Sequence, residues 1–309
     1  MTQWLDAFVP IFGLLALGAV LRRRLLRDDA VWAGMERLIF WVLLPCLVAT
    51  ALSTVDLGSL PVGGLAAAIW LALLAGTGMA VLLARLLGEG HAAMTSVLQG
   101  GIRFNNLMGF AIAGAVWGQP GLALAAVSTG LIVPFVQGVA TIAFALGGQR
   151  GSQDRIRPLR VARQVLLNPL IIAVLVGFAL AAVGGLPPGI GPTVRNLGQA
   201  SVALGLLCVG AALTPAGLGD RPLTQAATAV LKLVVMPAVT WALAVAFGID
   251  PLPTAIAVTF MALPTAATSY VMARAMGGDA PLMAAITTSE HALSILTLPV
   301  WLWLLSRTL

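Results

Sequence analysis

The chain has 309 residues, of which 60% are hydrophobic and only 9% charged, and its mean hydropathy is +1.01. Soluble domains carry about 25% charged residues, so a soluble fold of this size could not cover itself with so few. This excludes a soluble enzyme, a disordered chain and a disulfide-stapled secreted domain, and leaves an all-α polytopic membrane protein. The net charge of +6 does not point to nucleic acid. The arginines sit in short segments between apolar runs, where topology signals lie. Cys46 and Cys208 fall inside apolar runs with no CxxC or His neighbour. They read as small buried side chains rather than a disulfide or a metal site.

Ten apolar runs follow one another, at 4–21, 31–53, 61–87, 91–117, 121–146, 161–184, 193–214, 222–247, 251–275 and 279–305. Each is close to the ~20 residues a helix needs to cross a bilayer. The first has no basic segment before it, so it reads as a retained span and not a cleaved signal. Lys/Arg placement gives the orientation. Arg22, Arg23, Arg24, Arg27, Arg85, Arg150, Arg155, Arg157, Arg160, Arg163, Arg221 and Arg274 share one side, and only Arg195 and Arg307 lie on the other. With ten spans, the basic side is cytoplasmic and both termini are outside.

The chain also repeats itself at an offset of 159. Pro10 and Gly18 match Pro169 and Gly177, Gly118 matches Gly277, and the stretch 125–129 matches 284–288. The expected organisation is a five-span repeat over 1–146, a cytoplasmic loop over 147–160 and a second five-span repeat over 161–309. Five is odd, so the second repeat enters the membrane from the opposite side, as in many secondary transporters.

Spans 4 and 9 are interrupted. Span 4 holds Gly100, Gly101, Arg103, Asn105 and Asn106 in its middle, and span 9 holds Pro264 and Thr265. At the repeat offset, Asn105 falls on Pro264 and Asn106 on Thr265. Proline removes a helical hydrogen bond, and Asn side chains compete for backbone groups. Paired breaks in corresponding spans point to a binding site near the bilayer midplane. The bland alternative is an ordinary proline kink and an Asn pair that glues helices.

The motifs RFNNLMGF, LLNPLIIAVLVG, LKLVVMP and LPTAATSYVMARAMGGD, in this order along nearly the whole chain, resemble the auxin efflux carrier family of bacterial and plant transporters. The resemblance implies ten helices in two inverted halves, with broken helices 4 and 9 crossing at the substrate site. It implies a scaffold of helices 1, 2, 6 and 7 and a mobile transport domain of helices 3–5 and 8–10. A homodimer through the scaffold stays open. Members carry organic anions such as auxin, malate and malonate. The plant auxin carriers have a proline at the helix 4 crossover and a long cytoplasmic loop. This chain has neither, which favours the small bacterial members and a short dicarboxylate.

Arg103, Lys232, Glu290 and His291 lie deep within their spans, where ionisable residues are costly and point to function. Arg103 beside the break offers a planar fork for a carboxylate. Asn105, Asn106, Pro264, Thr265 and Ser269 complete the expected substrate site. Lys232 and Glu290 are expected to pair, either as structural glue or as a titrating pair that couples transport to protons. Sodium coupling through hydroxyls near the breaks is the rival mechanism. A channel or a sensor-like membrane protein shares the composition. No HExxH, acidic pair or nucleophile–base set is present at depth, so neither an enzyme nor a cofactor is expected.

Overall fold

The computed structural model describes residues 2–55, 62–147, 163, 166–215 and 217–307. Among these residues the chain is helical throughout, with no strand. The elements are α1 (Thr2–Arg24), α2 (Asp29–Leu52), α3 (Val62–Leu86), α4 (His91–Ile102), α5 (Asn106–Leu146), α6 (Pro169–Ala182), α7 (Ile190–Ala212), α8 (Pro222–Ala246), α9 (Pro251–Ala262), α10 (Thr268–Ala275) and α11 (Ala280–Leu305). Most of the expected loop 147–160, with four of the arginines counted for topology, lies outside the described residues. So does most of the start of span 6.

Among the described residues, five helical stretches are long and apolar enough to cross a membrane: Asp29–Leu52, Gly63–Leu86, His91–Leu146, Ile190–Ala212 and Pro222–Ala246. Their bounds follow local chemistry. Asp28 caps α2 by accepting from the Ala30 N–H at 2.8 Å. Asn168 caps α6 in the same way at Leu170, with Pro169 in the first turn. Both use a short polar side chain to satisfy an orphan N–H. α2 and α8 each contain a π-helical turn, at Ile39–Leu43 and Leu231–Val235. α5 runs through both span 4 and span 5 and is interrupted only at Gly118, where φ is +61. That is backbone an L side chain resists.

Contacts divide the chain into two compact units. The first comprises residues 1–62, 106–130 and 166–212. Here α1 packs along α7, and the C-terminal half of α2 packs along α6 and α7. Small residues set these approaches. A methyl group at Gly18 would overlap the Leu207 backbone, and one at Gly210 would overlap that of Leu15. A Cβ at Gly177 would come within 3.2 Å of the Ala49 Cα. In lipid there is no hydrophobic drive between helices, so close backbone approach through glycine supplies the packing.

The second unit comprises residues 63–105, 131–165 and 213–309. Its core is the buried apolar face of α3 (Leu65, Ala68, Ile69, Ala72, Leu73) with α4, α9 and α11. α9 is buried on nearly all sides, from Pro253 to Ala262. At one end of this unit Arg221 bridges two loops. It bonds Glu89 at 2.9 Å and also pairs with Asp279. Asp279 caps α11 through Leu282 at 3.0 Å, and its backbone joins the start of α4 through Ala92 and Ser96.

Candidate functional site

α4 and α9 are both twelve residues long, and each ends in extended backbone. Leu263, after α9, has φ −67 and ψ 144. Its successor is Pro264, whose ring excludes the helical conformation from the residue before it. Arg103, after α4, adopts φ −78 and ψ 163 with no proline to force it. There the helix is weakened by Gly100 and Gly101, each a poor helix former.

The breaks satisfy each other's freed backbone. The Asn105 N–H donates to the Pro264 carbonyl at 2.8 Å. The Thr265 hydroxyl donates to the Gln99 carbonyl at 3.2 Å. Unwound backbone at membrane depth survives only with such partners.

α11 supports the crossing from one side. Glu290 accepts the Thr265 N–H at 2.8 Å through Oε2, while Oε1 has no hydrogen-bond partner among the described residues. His291 Nδ1 lies 2.7 Å from the Thr287 carbonyl, and its Nε2 lies 3.0 Å from the Asn105 amide nitrogen. A carbonyl only accepts, so Nδ1 carries the proton and Nε2 accepts from Asn105. The ring is thereby assigned to the neutral tautomer.

Arg103 is half-buried, and its guanidinium meets only neutral groups. It donates to Gln99 Oε1 at 3.3 Å, to Thr268 at 3.1 Å and to the Met272 sulfur at 3.0 Å. No carboxylate among the described residues engages it.

The structure thus brings Arg103, Asn105, Pro264, Thr265 and Ser269 together in one unit, Ser269 standing 3.4 Å from the Thr265 hydroxyl. Asn106 begins the stretch of α5 in the other unit. There it accepts the Thr129 hydroxyl at 2.7 Å, and its Nδ2 has no partner among the described residues. Lys232 and Glu290 are both fully buried in the second unit. Their charges attract, but no ion pair forms, and the Lys232 ammonium has no hydrogen-bond partner among the described residues. Gln99 and Met272 escaped the sequence reading, since neither carries a signal before the fold places it at Arg103. No group of three or more His, Cys, Asp or Glu among the described residues is placed to hold a metal.

A family model described as membrane transport protein matches residues 4–302. The chain belongs to the auxin efflux carrier family. A relative in Rhizobium meliloti (strain 1021), named "Putative malonate transporter", is 26% identical over 291 residues, covering 90% of this chain and 88% of its own length. This chain is accordingly a membrane transporter, and the crossing of α4 and α9 is its candidate substrate site.

Proposed function

We propose that this transporter is a secondary carrier of a small organic anion, a short dicarboxylate of the malonate type, with Arg103 as the carboxylate ligand. One observation carries the reading: Arg103 stands at a helix break with only neutral partners. A cation held within a membrane span without a counter-ion calls for an anion, and its planar fork takes a carboxylate bidentately. Thr265 and Ser269 add hydroxyls, Pro264 holds the break open, and Asn105 positions the α4 side. The name of the Rhizobium relative supports malonate as the first substrate to try.

The same reading includes ten spans in two inverted repeats, with both termini outside the cytoplasmic membrane. Its support is the equal length of α4 and α9, the left-handed backbone at Gly118 and Gly277, which are 159 apart, and the packing of Gly18 on α7 and Gly177 on α2. An elevator motion, with spans 1, 2, 6 and 7 fixed, belongs to this proposal. So does proton coupling through Glu290 and Lys232, with sodium as the rival ion.

Uptake into proteoliposomes tests it, using radiolabelled malonate and other short dicarboxylates with pH and sodium gradients imposed separately. Saturable uptake with counterflow is expected. Flux that neither saturates nor shows counterflow would make the protein a channel, and no uptake of any short carboxylate would overturn the reading.

A further inference from the structure

The first unit contains an open pocket of about 370 Å³ that the transport reading does not use, with Gln119, Arg195 and Gln199 exposed at its mouth. Arg195 and Gln199 line it from the start of α7, four residues apart and so on one helix face. Gln119 lines it from α5, directly after the turn at Gly118. Leu47, Leu122 and Leu186 supply apolar wall. The volume lies at the small end of the range for ligand pockets, which combine apolar walls with a few polar groups that fix orientation.

The charges of this pocket are one-sided. Among the described residues, none that line it is acidic. Arg195 has no hydrogen-bond or ion-pair partner among the described residues. It is also one of only two arginines on the face where the topology signal asks for none. The other, Arg307, is accounted for by the Trp303 ring, 4.0 Å from its guanidinium carbon. The hydroxyls of Thr50 and Ser53, also in the wall, already donate to carbonyls of their own segment. The donors left for a ligand are therefore the Arg195 fork, the Gln119 and Gln199 amides and the Thr54 hydroxyl. One cation, two amides, one hydroxyl and three leucines fit a ligand with one carboxylate and an apolar body. A short dicarboxylate would leave its second charge unmatched against leucine.

We propose that this pocket is a separate ligand site, in which Arg195 takes the carboxylate of a small monocarboxylic acid and the leucines take its apolar body. The proposal does not rest on the malonate reading, because it concerns other residues and another ligand class.

Calorimetry on the full chain in nanodiscs tests it with benzoate, hexanoate and malonate as probes. Benzoate or hexanoate should bind, and Arg195→Gln should weaken that binding at least about tenfold, the loss expected when a charge-assisted hydrogen bond is removed. Arg195→Lys should recover part of it, and Leu122→Asn should weaken it without touching the charge. Malonate binding should be the same in the wild type and Arg195→Gln. Absence of benzoate and hexanoate binding in the wild type, or equal binding by Arg195→Gln, would overturn the proposal, as would displacement of hexanoate by equimolar malonate. If Arg195→Gln does not fold, Gln119→Ala and Gln199→Ala carry the same test. Proteoliposome uptake that fails while Arg195-dependent binding persists would count against the carrier reading alone.

Discussion

The Asn105 N–H donates to the Pro264 carbonyl at 2.8 Å, so the two helix breaks are joined through backbone. The side chain of Asn105 does separate work, holding the acceptor nitrogen of His291 at 3.0 Å. Asn105→Ala keeps the first bond and loses the second, leaving a buried imidazole nitrogen unpaired at about 1–3 kcal/mol. Asn105→Ala should therefore melt lower in detergent, and the Asn105→Ala/His291→Leu double variant should be less destabilised than the sum of the singles. Additive losses would show that the two side chains do not share a bond in the working protein.

Arg103 is where charge and break coincide. If it binds the substrate carboxylate, Arg103→Ala loses a charged hydrogen bond of about 1.5–3 kcal/mol, which is about a ten- to hundredfold loss of malonate uptake. Arg103→Lys keeps the charge and loses the fork, so it should recover little. Its present partners Gln99, Thr268 and Met272 are neutral, so the Ala variant leaves no buried charge behind and should stay folded by size-exclusion profile. Normal uptake by Arg103→Ala would remove Arg103 from the site.

Gly18 and Gly177 each sit where a side chain would collide with a neighbouring helix. Gly18→Val and Gly177→Val should each lower the melting temperature, since overpacking costs about 1–3 kcal/mol where the neighbour can shift and more where it is backbone. The Gly18 variant should lose more, because its methyl would meet the Leu207 carbonyl itself, whereas the nearest atom at Gly177 is the Leu52 side chain. The reverse order would mean that α1 can shift away from α7 more readily than α6 can from α2.

Arg221 adopts left-handed backbone, φ +49, while pairing with Glu89 and Asp279. The Asp279 hydrogen bond holds its guanidinium above the ordinary arginine range. Left-handed backbone costs an L residue about 1–2 kcal/mol, and partly exposed ion pairs return up to about 1. Arg221→Gly loses the pairs but relaxes the backbone, whereas Arg221→Ala loses the pairs and keeps the strain. The Gly variant should melt higher than the Ala variant, and high salt should narrow the gap between wild type and both. Equal melting of the two would mean the backbone there relaxes in solution.

The breaks were legible because they are local. Pro264 dictates extended backbone at Leu263, and glycines and asparagines in the middle of an apolar run announce weak helix. Gly118 was legible as a boundary between spans. The chain leaves helical geometry there, with φ +61 and ψ −143, so α5 is two helices that meet at a kink where spans 4 and 5 divide. The π turns at Ile39–Leu43 and Leu231–Val235 each stand two residues before a proline, Pro45 and Pro237, which cannot donate to the helical ladder. Arg221 was visible only as a topology charge. Its partners come from loops far away in sequence, as does His291 for Asn105, and only the fold reveals which distant side chains meet. The same holds for Lys232 and Glu290, whose depth was legible and whose lack of direct contact was not.

Glu290 and Lys232 are buried opposite charges that attract without touching, and each has a polar atom with no partner among the described residues. Such an arrangement leaves room for either charge to be neutralised in turn. Glu290→Gln keeps an oxygen for the Thr265 N–H and removes the charge, so it mimics the protonated acid. If Glu290 carries the coupled proton, this variant should still exchange labelled for unlabelled malonate but no longer respond to an imposed pH gradient. Lys232→Met should be impaired more broadly, because it leaves Glu290 without its counter-charge, and the double variant should recover about 1–3 kcal/mol relative to the sum, the usual range for coupled neighbours. Exchange and pH response measured side by side in proteoliposomes decide the matter. A Glu290→Gln protein that still concentrates malonate down a pH gradient would move the coupling elsewhere, with sodium the next ion to test.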